Sequence, residues 1–258
     1  MQDKPTLEDA LALMRDLRAR CEWDRAQTHQ SLRPYLIEES HELDDALRTG
    51  DVSAMREELG DVLLQVLFHS VLAEEAGAFD AHDVAAALIG KMKRRHPHLY
   101  GGGPKEGWET MKARSRTSLT EGLPSGLPAL HRAQRLQDRA AGVGFDWPDV
   151  EGPALKVEEE LGEVREQLAR LASDAARDAL EDELGDLLFA VVNLCRRANV
   201  HAAVALDRAN EKFVRRFGEM EKLAGERGAS LASFDAKGLD ELWNDVKRGE
   251  TKPGGAAG

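Results

Sequence analysis

Five carboxylates fall in a fixed pattern between residues 38 and 61: Glu38, Glu39 and Glu42, then Glu58 and Asp61. The pattern returns as Glu159, Glu160 and Glu163, then Glu183 and Asp186. Each set reads E-E-x-x-E followed by E-x-x-D, across spacers of 15 and 19 residues. On an α-helix, at about 100° per residue, Glu159, Glu160 and Glu163 share one arc of about 100°. Glu183 and Asp186, at i and i+3, share a face. Val157, Leu161 and Val164 flank the first group, and Leu184, Leu187 and Leu188 the second, so the carboxylates stand beside the core-facing stripe. Two such helices packed antiparallel bring five carboxylates to one half-buried place. Like charges there raise one another's pKa unless a cation offsets them. An all-oxygen donor set suits Mg²⁺, with Mn²⁺ as a second choice, better than zinc. The competing reading is a solvated acidic face, since each half-motif alone is common on helices. Recurrence of the same spacing beside apolar flanks favours the metal.

The basic residues that could meet a polyphosphate come later. Lys212 and Arg216 are i and i+4 and share a helix face. A Lys/Arg pair opposite a metal cluster is what a triphosphate needs. Arg215 reads as a surface or ion-paired residue. Trp243 and Lys247 are also i and i+4. Trp243 either stacks a base above a phosphate-binding Lys247 or closes an edge of the core. Glu38-x-x-His41 matches the E-x-x-H element of di-iron bundles, which need two such elements. Gly162 stands where the second histidine belongs, so a redox di-metal bundle is excluded.

The elements that must position these residues occur twice. Cys21-Glu22-Trp23-Asp24 parallels Gly144-Phe145-Asp146-Trp147, Lys91 to Arg95 parallels Lys212 to Arg216, and Trp108 to Lys112 parallels Trp243 to Lys247. Landmarks in the same order mark an internal duplication. The expected division is a first domain over 1–118, a linker over 119–128 and a second domain over 129–250. Residues 113–128 are rich in Ser, Gly and Pro and cannot sustain a helix. Thr251 to Gly258 reads as a disordered tail. In the first half, helices are expected from between Thr28 and Pro34 to Leu47, from Asp51 or Ser53 to Glu75, and from Asp80 to before Pro97. In the second half they are expected over about 153–171, 178–198 and 202–225, with a short extra helix over 238–247.

Composition agrees with an all-α protein. Hydrophobic residues make up 42% of the chain, enough for a core, and aromatics only 5%, too few for a β-sandwich. A net charge of −12 argues against duplex nucleic acid as a partner. The most apolar run, Val62 to Ala73, is too short to span a bilayer, so no membrane association is expected. Two distant cysteines and an N-terminus without a secretory pattern point to the cytoplasm.

The acidic signature in both halves, Arg94-Arg95-His96-Pro97-His98 after the first, and Val143-Gly144-Phe145-Asp146-Trp147 opening the second resemble the MazG family of all-α nucleoside triphosphate pyrophosphohydrolases. The resemblance runs from about Leu7 to Lys247 and fits the two-domain bacterial form. It implies two tandem helical-bundle domains and a homodimer formed through the bundles. It also implies Mg²⁺-dependent hydrolysis of nucleoside triphosphates to monophosphates and pyrophosphate, broad in specificity, for nucleotide-pool control or house-cleaning. By motif, Glu159, Glu160, Glu163, Glu183 and Asp186 would hold the metal in a catalytic C-terminal copy. Glu160 or Glu163 would orient the attacking water. Lys156, Lys212, Arg216, Trp243 and Lys247 would contact the nucleotide. In the first copy Glu38, Glu39, Glu42, Glu58 and Asp61 complete the acidic set, but Tyr35 stands where the second has Lys156. The competing expectation, strongest for the first half, is a non-catalytic helical regulator that binds nucleotide or protein.

Overall fold

The computed structural model describes residues 4–103, 105, 107–113, 116–170 and 174–251. Those residues form α-helices and one short 3₁₀ turn, with no strand among them. They divide into two compact units, 1–105 and 106–258.

The first unit holds α1 (Leu7–Arg20), α2 (Glu22–Ala26), α3 (Arg33–Thr49), α4 (Val52–Glu75), α5 (Ala81–Arg94) and α6 (Pro97–Tyr100). Local chemistry sets these bounds. Pro34 sits in the opening turn of α3, where its missing N–H costs nothing. Gly50 ends α3 at φ +72°, the left-handed conformation that glycine adopts without strain. Asp51 then caps α4, its carboxylate accepting from the Ser53 and Ala54 amides at 2.8 and 3.1 Å. A turn this short folds α3 back along α4. The core lies at the other end of α4, where Phe68, Val71 and Leu72 meet Leu11 and Met14 of α1 and Leu32.

The second unit holds α7 (Trp108–Ala113), α8 (Ala129–Gly142), α9 (Glu151–Ala169), α10 (Asp174–Arg197), α11 (Ala202–Glu226), a 3₁₀ turn (Leu231–Ser233) and α12 (Ala236–Thr251). Helices α9 and α10 form the long pair equivalent to α3 and α4, and α8 packs on α10. Met220 and Ala224 of α11 bury against Leu242 and Val246 of α12. Helix α12 is longer at both ends than the 238–247 expected. The tail over 252–258 and the side chain of Trp108 lie outside the described residues.

Residues 116–128 do lack helix, as their composition requires, but they are not a free tether. Arg139, almost fully buried, donates through Nη1 to the carbonyls of Leu119 and Glu121 at 2.7 and 2.9 Å. Glu109 of α7 meets Arg116 and Arg135 at 3.2 and 2.7 Å. These ties place the segment and α7 in the second unit, so the compact units part after Lys105 rather than across 119–128. No helix among the described residues is long and apolar enough to cross a membrane. Large apolar side chains stay exposed along the helices, among them Leu184 and Leu188 of α10 and Phe213 and Val214 of α11.

Candidate active site

Helices α9 and α10 face each other through their acidic motifs. Oxygens of Glu160, Glu183 and Asp186 all lie within 4.8 Å of one another. Glu160 is 5% exposed, and its Oε2 has no hydrogen-bond partner among the described residues. Lys156, one turn earlier on α9, places Nζ 2.7 Å from Oε1 of both Glu159 and Glu160. Those two contacts, Glu159 first, hold the Lys156 ammonium charged well above its ordinary range. Glu163 lies outside the trio. Desolvation, then a hydrogen bond with Glu160 and the fields of Glu160 and Glu183, push its carboxyl up.

Of the five expected carboxylates three meet this closely, and Glu163 stands beside them. Neighbours at i and i+1 diverge by about 100° around a helix, so Glu160 enters the seam while Glu159 turns outward to Lys156. The first unit repeats the outcome. Glu39, Glu58 and Asp61 come within 4.8 Å, and Glu38 and Glu42 stay outside. Desolvation and then the Asp61, Glu42, Glu58 and Glu38 charges push Glu39 up, and Glu58 rises through desolvation and then the Glu42 and Asp61 charges. Tyr35 offers the cluster no ammonium and sits edge-on to Trp23, with ring centroids 6.3 Å apart.

Beside the second trio opens a cleft of about 810 Å³, within the range of small-molecule sites. Lys156, Glu160 and Asp186 line it. Gln137, Asn193, Arg196, Phe145 and Trp147 also line it; in the sequence Phe145 and Trp147 stand out only as landmarks of the duplication and the resemblance, and the other three belong to no motif. Asn193 was within reach, since it stands seven residues after Asp186 and so on the same face of α10.

The remaining basic candidates are elsewhere. Lys212 and Arg216 on α11, and Trp243 and Lys247 on α12, do not line this cleft. Trp243 packs onto the α11/α12 core and lies 5.6 Å from Phe213, centroid to centroid. Such packing is what the core-edge reading of Trp243 requires. The Arg216 guanidinium lies 5.7 Å from the Trp243 ring and pairs with Glu250 at 2.7 Å. Arg215 is ion-paired to Glu250 as well.

A sequence profile of the MazG nucleotide pyrophosphohydrolase domain matches residues 27–100 and 152–220, one stretch over each acidic hairpin. The chain belongs to the MazG family. It is 42% identical over 250 residues to the nucleoside triphosphate pyrophosphohydrolase of Escherichia coli (strain K12), covering 92% of this chain and 94% of that one. It is 45% identical over 252 residues to the nucleoside triphosphate pyrophosphohydrolase/pyrophosphatase MazG of Thermotoga maritima, with coverage of 94% and 96%. The Bacillus subtilis protein YabN is 41% identical over 255 residues, which span 93% of this chain and 51% of YabN.

Each MazG hairpin supplies donors that fit a hard divalent cation. They are carboxylate oxygens only, close together, on two rigid helices. In the second hairpin the unpartnered, buried Oε2 of Glu160 is the group that most needs one.

Proposed function

We propose that the chain hydrolyses nucleoside triphosphates to monophosphates and pyrophosphate at the α9/α10 cleft of its second unit, with Mg²⁺ or Mn²⁺, in the cytoplasm. The observation that carries this reading is one cavity of nucleotide size that holds Lys156 and the Glu160/Asp186 side of the carboxylate trio together. Glu160, Glu183 and Asp186 would hold the metal. When bound, the cation neutralises phosphate charge and lowers the pKa of water. The other work falls to side chains. Glu159 holds the Lys156 ammonium beside the cluster, where a phosphate oxygen can compete for it. Glu163, outside the trio but near enough to Glu160 and Glu183 to feel their charges, would orient water and take its proton. An amide-lined and aromatic cleft that takes any base suits a broad specificity and a role in nucleotide-pool control.

Exposed apolar faces on α10 and α11 support a homodimer, because a monomer would leave them in water. Lys212, Arg216, Trp243 and Lys247 reach the nucleotide only if α11 and α12 move or a second copy delivers them. Light scattering coupled to size exclusion tests the dimer; a monomer at micromolar concentration would sink it. The activity is tested by incubating purified protein with Mg²⁺ and each triphosphate and separating the products. Pyrophosphate with monophosphate is expected; orthophosphate with diphosphate, or no product, overturns the reading.

The first unit favours the second reading, a non-catalytic module. It keeps the trio but lacks the lysine, and it buries Phe68 and Val71 where the second unit lines its cleft with Asn193 and Arg196.

A further inference from the structure

The far end of the cleft is built around one amide. Asn193 lies two helical turns, roughly 10 Å, beyond Asp186 on α10, so the cleft runs from the carboxylates toward it. Arg196 donates to Asn193 Oδ1 twice, from Nε at 3.1 Å and from Nη2 at 2.9 Å. Arg196 is itself held by Asp146, with Nη1 3.2 Å from Oδ2 and Nη2 on Oδ1. This pair holds the Asp146 carboxyl below its ordinary range. The two guanidinium contacts fill both lone pairs of Oδ1 and fix which way the amide points. What Asn193 has left to offer is Nδ2, a donor and nothing else.

The rest of this end suits a flat heterocycle. Phe145 is 82% exposed and Trp147 42% exposed, and both line the cleft. Rings that wet gain little by packing in the free protein. Trp147 leans over Gly152, where a Cβ would come within 2.3 Å of its ring, so a glycine is needed to seat it. Gln137 is 6% exposed, gives Nε2 to the Phe189 carbonyl at 2.8 Å and leaves Oε1 without a partner. A buried acceptor of this kind is satisfied by an incoming N–H. Nucleobase edges carry donors and acceptors side by side.

The first unit shows that the fold does not require these groups. The residues at the same distance from Asp61 are Phe68 and Val71, and both are buried in its core. An α4/α10-type helix therefore folds with apolar residues there, and the polar set of the second unit calls for another reason.

We infer that Asn193 reads the base of the substrate, donating from Nδ2 to an acceptor on the base edge while Phe145 and Trp147 cover the ring. Arg196 and Asp146 are positioning residues that act through Asn193. The inference rests on the proposed triphosphate hydrolysis and moves the base from Trp243 to the α8/α10 cleft. Every common base presents an acceptor, so the contact separates triphosphates with a base from those without one, more than it separates one base from another.

Asn193→Asp keeps an oxygen for Arg196 and removes both donors. Pyrophosphate release is measured with the four ribonucleoside triphosphates and with ribose 5-triphosphate, which lacks a base. The expected result is a loss of about tenfold or more in kcat/KM for the nucleotides, mostly in KM, equivalent to about 1.4 kcal/mol. Turnover of ribose triphosphate should change less than twofold. A parallel loss on both substrates would place Asn193 at the phosphates or in the fold and overturn the inference, as would no loss on either. If the wild type releases no pyrophosphate, the hydrolase reading fails, and calorimetry with α,β-methylene triphosphates still decides this one. Tenfold weaker binding by Asn193→Asp supports it, and equal binding overturns it.

Discussion

The two MazG hairpins share their acidic chemistry and differ in what lies behind it. Glu39, Glu58 and Asp61 approach as closely as Glu160, Glu183 and Asp186. Two turns further along the second helix of each pair, the first unit has Phe68 packed with Leu11 and Met14, and the second has Asn193 beside Gln137 and an open cleft. Met14 and Gln137 are themselves counterparts, each seven residues before Cys21 and Gly144. The lesson is that a carboxylate trio comes with the helical hairpin, whereas a cleft beside it needs a neighbouring helix that leaves space and polar groups. The first unit has exchanged that space for a core. The second keeps partly buried polar groups, which are costly unless a ligand or network satisfies them.

The sharpest way to break this comparison is to remove one carboxylate from each trio. Glu160→Ala should lower pyrophosphate release about 100- to 1,000-fold, the scale of single catalytic-site deletions. Glu39→Ala should leave it within twofold. Equal losses would make the first unit a catalyst. Next, Lys156→Tyr gives the second cleft the residue of the first. Loss of a charged hydrogen bond worth about 1.5–3 kcal/mol predicts a fall of roughly 10- to 100-fold in kcat/KM, measured below the melting temperature that the unpaired, buried Glu160 lowers. Phe68→Asn, the reverse exchange, should destabilise the first unit by about 3 kcal/mol or more, seen as an earlier first transition in calorimetry. Unchanged melting would mean that the apolar set is not a core. The smallest effect is in pH. Because Arg196 depresses Asp146, the pair stabilises the second unit above pH 3.8 and the contribution fades as pH falls through the lowered value. Asp146→Asn should flatten the acid limb of that unit's stability curve and leave the limb of the first unit in place.

Much of this was legible in the sequence because it is local. Helix ends at Gly50 and Asp51, and the carboxylate spacing, depend on residues within a turn or two of one another. Which three of five carboxylates meet depends on how α9 is rotated against α10, and no spacing encodes that. Helix α8 was not legible because its buried positions include Gln137 and Arg139, which break the apolar stripe that betrays a helix. The cleft itself is assembled from α8, α9, α10 and two loops, so no motif along the chain could announce it. For the α11/α12 residues a shared helix face was legible, but not that they stay out of the lining of this cleft in their own chain.

The Arg139 contacts have a consequence for anyone who cuts or rebuilds this protein. Leu119, one of the two residues whose carbonyls Arg139 holds, also lines the cleft. The Gly- and Pro-rich stretch that looks like the natural place for a fusion joint or a protease site is thus a wall of that chamber. An insertion near Pro124 would loosen that wall, while a joint placed just after Lys105, where the compact units part, would leave the chamber's masonry intact.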